Sequence, residues 1–449
     1  MVDVLLGLQW GDEGKGARTL DLIMRDDYPV TVRYNGGPNA GHSLDFGNGK
    51  TIAVHVTPSA ATLGGIISLM GNDMVVDPYG FYTEARDILR ILGVDITNNS
   101  FLSREAGIIS PYQRLFDFIE ESIAFEKIGT TGKGIAATYG GYRERKIVRA
   151  CDVVDKDNFR IANQHMIQRM QTYAKNFDIP KILEGKNFDL EAEMVKYYHA
   201  IEWMHQNIKI VDMNKKVQDL LRHRKTSKFL AEGAQGVLLD INHGDYPYVT
   251  SSNTCAFGVF NGLGIGHKQF GKLYGVTKPY NTKVGGGEFI CEMSTDRELL
   301  FQRDGNEKGA STGRPRMCGY PDMVVLRHAI TIHRGFGPMH IIVSKADIYP
   351  SELLDKPMLA VVAHKHRDGS ISKELRLPLK DIVGVVTKEI APWQAKYDLR
   401  KHNENDCKLF DNFLNFVYEE LSDLPKNSFV IDIVGTGPQI GQYYEQPKR

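Results

Sequence analysis

Val2-Asp3-Val4-Leu5-Leu6-Gly7-Leu8-Gln9 is an apolar run of strand length, and it breaks directly into Trp10-Gly11-Asp12-Glu13-Gly14-Lys15-Gly16. A segment of helical character follows from about Arg18 to Met24. Strand, glycine-rich turn and helix in that order are the opening unit of a nucleotide-binding α/β fold. The turn is not a standard P-loop, because Gly7 to Gly14 encloses six residues and Gly16 stands where a hydroxyl residue would follow the lysine. The physics is shared all the same. Glycines admit phosphate oxygens to backbone N–H groups, the helix N-terminus adds partial positive charge, and Lys15 adds a full one. Asp12 is the odd member. A carboxylate there repels phosphate unless it holds a metal or takes a substrate proton; the plain alternative is a solvated acid in a tight turn.

Working outward, Val30-Thr31-Val32-Arg33-Tyr34 is a second strand signal, and it opens into Asn35-Gly36-Gly37-Pro38-Asn39-Ala40-Gly41-His42. If the two strands are neighbours, Asp12 and His42 face one pocket as a base and an acid. Gly129-Thr130-Thr131-Gly132-Lys133-Gly134 is another glycine–hydroxyl–lysine turn, suited to a second phosphate. Short apolar runs at 229–231, 340–343, 359–363 and 429–434 continue the strand pattern. Two of them run straight into polar or glycine loops, where ligands of open α/β sheets bind. One such loop is Val343-Ser344-Lys345-Ala346-Asp347, a Lys-x-Asp element whose carboxylate can accept both donors of a guanine edge. Ala310-Ser311-Thr312-Gly313-Arg314-Pro315-Arg316 places two arginines after two hydroxyls, a set suited to a small carboxylate. Two phosphate turns and a carboxylate loop describe a ligase acting on a triphosphate, a monophosphate and an amino acid.

The fold class expected is α/β, with a large, mostly parallel central sheet, a P-loop-NTPase-like nucleotide site and an inserted helical subdomain. The insertion is read over 151–228, where Gly185 is the only glycine and Pro180 the only proline, within a single domain spanning 1–449. With 42% hydrophobic and 24% charged residues, the chain has ample material for a core. Lys+Arg and Asp+Glu both count 55, which argues against bulk nucleic-acid or membrane binding. The N-terminus has no basic segment leading to an apolar one, and no apolar run reaches membrane-spanning length. Five scattered cysteines without CxxC spacing read as reduced thiols. A cytoplasmic protein is expected.

Taken together, Gln9–Gly16, Asn39–His42, Gly129–Gly132, Glu232-Gly233-Ala234-Gln235-Gly236, Tyr246–Asn253, Ser311–Arg314, Lys345-x-Asp347 and Gly435–Pro438 resemble the adenylosuccinate synthetases. The resemblance implies GTP-dependent ligation of IMP with L-aspartate, through a 6-phosphoryl-IMP intermediate, in AMP synthesis. By it Asp12, His42 and Lys15 are catalytic. Gly14, Lys15, Gly16, Gly41, His42, Arg316, Lys345, Asp347, Gly435, Thr436 and Gly437 bind GTP. Asp12, Asn39, Thr131, Arg145, Gln235, Thr250 and Arg314 bind IMP, with Arg145 reaching the neighbouring subunit of a homodimer. Ser311, Thr312, Gly313 and Arg314 bind aspartate, and Asp12 with the carbonyl of Gly41 holds Mg²⁺. The chain departs from the family pattern at Pro38, Lys133, Ala136, Ala137, Thr138, Pro315 and Gly435. Most of these positions lie around the monophosphate, so ligation of aspartate to another purine nucleotide such as dGMP is the alternative. A guanine-nucleotide-binding protein without ligase chemistry is the other reading; it leaves His42, Gln235 and the Ser311–Arg316 loop without a role.

Overall fold

The computed structural model describes residues 1–47, 49–309, 313–393 and 404–446, with no account of the side chains of 404–409. The first strand, Val2–Gly7, is buried along its whole length. Val2, Val4 and Leu6 join the apolar core on one side of the sheet, while Leu5 joins the core on the other. That division follows from the two-residue period of a strand, and burial of both faces is what a parallel sheet requires. Val2–Gly7 is flanked by Phe229–Gly236 and Phe270–Thr277, both parallel to it.

Among the described residues the sheet has eleven strands. From one edge its order is Tyr443–Glu445, Phe429–Gly435, Met339–Val343, Phe270–Thr277, Val2–Gly7, Phe229–Gly236, Val30–Gly36, Ile67–Val76, Ser100–Ser103 and Lys209–Val211, with Gly107–Ile108 also paired to Ile67–Val76. Every pairing is parallel except that of the edge strand Tyr443–Glu445. The strands therefore present their C-terminal ends on one rim. That rim carries the turns after Gly7, Gly36, Gly236, Thr277, Val343 and Gly435.

Two strand expectations change. Val2–Gly7 and Val30–Gly36 are not neighbours, because Phe229–Gly236 lies between them. The run at 359–363 belongs to a separate antiparallel sheet, in which Met358–His366 pairs with Ile371–Ser372 and Ile382–Ile390. Apolar content alone does not distinguish the two sheets.

The segment 151–228 contains helices Lys156–Ala174, Ile179–Leu183, Leu190–Asn207 and Met213–Arg222. It also holds a short strand, Lys209–Val211, that pairs with Ser100–Ser103 at the edge of the main sheet. Asp155, Asp178, Asp189 and Asp212 each accept backbone N–H bonds at the starts of these helices. Met166, Met170, Tyr197, Ile201 and Met204 enter the main core, so the segment packs against the sheet's helix layer.

Candidate active site on the sheet rim

The turn after Val2–Gly7 is built around Glu13, which is fully buried. Its Oε1 accepts from the N–H groups of Gln9 at 3.0 Å and Gly11 at 2.9 Å, and its Oε2 accepts from Lys15 Nζ at 2.6 Å. Glycine is needed at position 7, where a Cβ would lie 2.2 Å from Glu13 Oε2. Gly14 caps the helix Lys15–Asp26 at φ 89, a left-handed conformation that glycine adopts without strain. The helix N-terminus and Lys15 thus reach the rim together.

Asp12 stands on the same turn at φ 61, and its Oδ2 accepts from Arg316 Nε at 2.8 Å. His42 arrives from the turn after Val30–Gly36, packed so closely on the helix start that a Cβ at Gly16 would lie 2.7 Å from its Cβ. Asp12 and His42 therefore reach one rim across the intervening strand. That strand supplies the partner of the histidine. His42 Nδ1 is paired with Glu232, and it lies 3.1 Å from the Ser59 hydroxyl oxygen. Ser59 donates its hydroxyl to Glu232 Oε1 at 2.7 Å and its N–H to Oε2 at 2.9 Å. With a carboxylate on Nδ1, the ring proton is held there and Nε2 is left for substrate.

Burial alone would raise the Glu232 carboxyl, but His42, Arg33 and the Ser59 hydroxyl outweigh it and bring it down to about 2. Burial pulls the His42 imidazole below its ordinary value against the pull of Glu232. We take the ionised carboxylate as the fixed member of this pair, because three separate groups stabilise its charge. Arg33 is fully buried beside it, and among the described residues none of its guanidinium nitrogens has a hydrogen-bond partner.

Asn39 Nδ2 donates to Thr250 Oγ1 at 3.2 Å, joining two residues expected to bind the monophosphate nucleotide. Gln235 lies between the turns of Gly11 and Gly36 at φ 56, with both amide heteroatoms buried and unpartnered among the described residues. Thr131 is exposed on its turn, which is tied to the loop at Gly286 through an N–H bond of 3.0 Å to the Ile128 carbonyl. The amide of Gly134 in that turn is taken by Asp117 at 2.6 Å, so this helix start does not face the rim as an open anion site. Arg145 is exposed at φ 63, and Arg314 is exposed with its carbonyl accepting from Gly309 N–H at 2.8 Å. Gly313 is exposed beside it; Ser311 and Thr312 lie outside the described residues.

The third group forms at Met339–Val343 and Phe429–Gly435, which are adjacent. Ala346 N–H donates to the Gly435 carbonyl at 3.0 Å, bringing Lys345-x-Asp347 against Gly435, Thr436 and Gly437. Asp347 Oδ1 is buried without a hydrogen-bond partner among the described residues, and burial raises the carboxyl above its ordinary value. Lys345 sits at φ 57. Asp12, Arg145, Gln235 and Lys345 account for four of the seven non-glycine residues at positive φ among the described residues. Each such conformation costs on the order of 1–3 kcal/mol and persists where surrounding structure imposes it, often at functional sites.

Glu13, Arg33, Glu232 and Glu307 stand outside the roles expected from the sequence. Arg33 and Glu232 did carry a signal, since each is a charge inside an otherwise apolar strand run. Glu307 carried none.

A parallel sheet whose strand ends gather a glycine–lysine turn at a helix start has the architecture of an α/β nucleotide-binding enzyme. The adenylosuccinate synthetase family profile matches residues 4–444. The chain is 36% identical over 438 residues to the adenylosuccinate synthetase of Parabacteroides distasonis, covering 97% of each protein. It is 39% identical over 349 residues to that of Pelodictyon phaeoclathratiforme, covering 77% of this chain and 76% of the relative. The fully ligated adenylosuccinate synthetase of Plasmodium falciparum superposes with a TM-score of 0.84 at 27% identity, over 99% of this chain and 100% of that one. The succinoaminodeoxyadenylate synthetase of cyanophage S-2L, bound to dGMP and dATP, shares the fold at a TM-score of 0.60 and 16% identity, over 99% and 95%. The chain belongs to the adenylosuccinate synthetase family, the GTP-dependent ligases that join IMP to aspartate in AMP synthesis.

Proposed function

We propose that the rim carries out this ligation with the residues described above in specific roles. Asp12 takes the N1 proton of IMP, and O6 then attacks the γ-phosphorus of GTP, releasing GDP and leaving 6-phosphoryl-IMP. His42 donates toward the transferring phosphoryl group, whose charge favours the protonated ring against the effect of burial. Lys15 and the helix start at Gly14 and Gly16 neutralise phosphate charge. The amine of aspartate next attacks C6, phosphate leaves, and adenylosuccinate forms. Asn39, Thr131, Gln235, Thr250 and Arg314 hold IMP. Gly313 and Arg314, with Ser311 and Thr312, receive aspartate; Lys345, Asp347, Thr436 and Gly437 receive guanine; and Arg316 meets the GTP phosphates.

The observation that carries this reading is Gln235. Its amide is buried with neither heteroatom satisfied among the described residues, between the turns at Gly11 and Gly36 that lead to Asp12 and Asn39. A buried amide without partners costs about 1–3 kcal/mol, which a purine edge offering both a donor and an acceptor would recover.

Mg²⁺ fits this chemistry. Among the described residues no group of three or more His, Cys, Asp or Glu side chains could hold a metal. An ion here would thus draw most ligands from phosphates, the usual pattern for Mg²⁺. The Asp12 carboxylate and Gly41 carbonyl are the protein groups we assign to it, and it would neutralise charge on the phosphates. Chelation with EDTA should stop turnover, and added Mg²⁺ should restore it. We further propose a cytoplasmic homodimer in which the exposed Arg145 reaches the partner's IMP site; among the described residues no helix is long and apolar enough to cross a membrane. A single-subunit mass by analytical ultracentrifugation would remove the dimer. We read 1–449 as one domain with 151–228 as its insertion, a reading supported by the shared core.

The deciding assay offers IMP and dGMP in parallel, with GTP, Mg²⁺ and aspartate, and follows ultraviolet absorbance. Product from IMP alone supports the proposal. Product from dGMP alone would transfer the ligation to another acceptor.

A further inference from the structure

One buried carboxylate on the rim is not explained by any sequence motif. Glu307 is fully enclosed in the segment between the helix Thr295–Asp304 and the strand Met317–Gly319. Its two oxygens serve different partners. Oε1 accepts from Lys345 Nζ and from the Tyr280 hydroxyl, each at 2.6 Å, with Lys278 Nζ at 3.4 Å. Oε2 accepts from an Arg316 terminal nitrogen at 2.6 Å. Arg316 extends the chain of charges by donating its Nε to Asp12 at 2.8 Å. Lys345 is steadied by a second bond, 2.9 Å to the Gly305 carbonyl. Burial would raise the Glu307 carboxyl, yet Lys278, Lys345 and Arg316 together hold it well below the usual carboxylate range.

Lys345 belongs to the guanine element and Arg316 to the phosphate end of the same nucleotide, so this carboxylate is bonded to both ends of the GTP site. We propose that Glu307 is a positioning residue for GTP, fixing Lys345 and Arg316 at the separation that lets base and phosphates engage together. The inference rests on the GTP reading above. Without the carboxylate, two flexible cations repel each other, and the arginine fork loses the planar partner that orients it. The nucleotide would then have to order both on binding, which weakens its affinity.

The test is Glu307→Gln, with KM determined separately for GTP, IMP and aspartate. The glutamine oxygen can still accept from Lys345, but its NH₂ would face the donors of Arg316. The expected result is a rise of about tenfold or more in KM for GTP, the scale of one lost charge-assisted hydrogen bond. KM for IMP and aspartate should stay within about twofold, and Glu307→Asp should recover part of the GTP affinity by restoring the charge. An unchanged KM for GTP overturns the proposal, as does an equal rise in all three constants, which would mean general loosening. If Glu307→Gln does not fold, a crystal structure of the unaltered chain with a non-hydrolysable GTP analogue decides. Glu307 still bonded to both cations supports the role, and departure of both overturns it. Failure of the GTP reading has its own signature. Lys345→Met with unchanged GTP turnover and selectivity would remove both proposals, whereas a selective loss in Lys345→Met without one in Glu307→Gln removes only this one.

Discussion

Replacing Glu232 by glutamine should destabilise the protein by an amount that can be worked out in two ways. Glu232 is fully buried, and its carboxyl is brought from an ordinary 4.5 to about 2 by His42, Arg33 and Ser59. At about 1.4 kcal/mol for each pH unit of displacement, the ionised carboxylate contributes roughly 3 kcal/mol. The second route starts from Arg33, whose guanidinium has no hydrogen-bond partner among the described residues and depends on nearby carboxylates. Removing one member of a buried ion pair costs about 3–5 kcal/mol. The two figures meet at about 3–4 kcal/mol. For a chain of 449 residues, with unfolding entropy of about 2.1 cal/mol/K per residue, that lowers Tm by about 3–4 °C.

Calorimetry across pH adds a sign. The folded value lies below the unfolded one, so the stabilisation is complete above pH 4.5 and is lost as pH falls toward 2. The gap between Glu232→Gln and the unaltered protein should be constant from pH 6 to 8 and narrow below 4.5. Adding Arg33→Leu should return part of the loss, because the uncompensated charge is then gone. A variant within about 1 °C of the parent at pH 7.5, or a gap that does not narrow toward pH 3, would refute the reasoning.

Asp12→Asn should lower kcat by at least about 10³; a near-normal rate would remove Asp12 from the base role. His42→Asn should lower kcat by about 10²–10⁴ with KM for IMP little changed, and rates within threefold of the parent would dismiss the acid. Asp347→Asn should reduce the preference for GTP over ATP by at least about a hundredfold in competition assays, and unchanged selectivity would sink the guanine assignment.

The parts of the site that were legible in the sequence are the ones written contiguously. Gly11–Gly16 and Lys345-x-Asp347 each lie within a few residues of a strand end, so local pattern alone marks them as candidates. The helical character of 151–228 followed from the near absence of glycine and proline, although the strand Lys209–Val211 within it did not. What could not be read was pairing at a distance. Glu232 lies 190 positions from His42 in sequence, and nothing near either residue indicates that Phe229–Gly236 slots between the first two strands. Pro38 and Lys133 are departures from the family pattern whose tolerance nothing in the structure explains.

The strand order also governs when the enzyme becomes competent during synthesis. Phe429–Gly435 closes the rim against Met339–Val343, and Gly435 accepts the bond that seats Ala346 between Lys345 and Asp347. Chains grow from the N-terminus at about 5–20 residues per second, so the turn Gly11–Gly16 leaves the ribosome long before the strand Phe429–Gly435. A nascent chain that stops short of Phe429–Gly435 lacks the carbonyl that seats Ala346. Until that strand is made, the sheet edge at Met339–Val343 is open, and it is the surface that chaperones would have to protect.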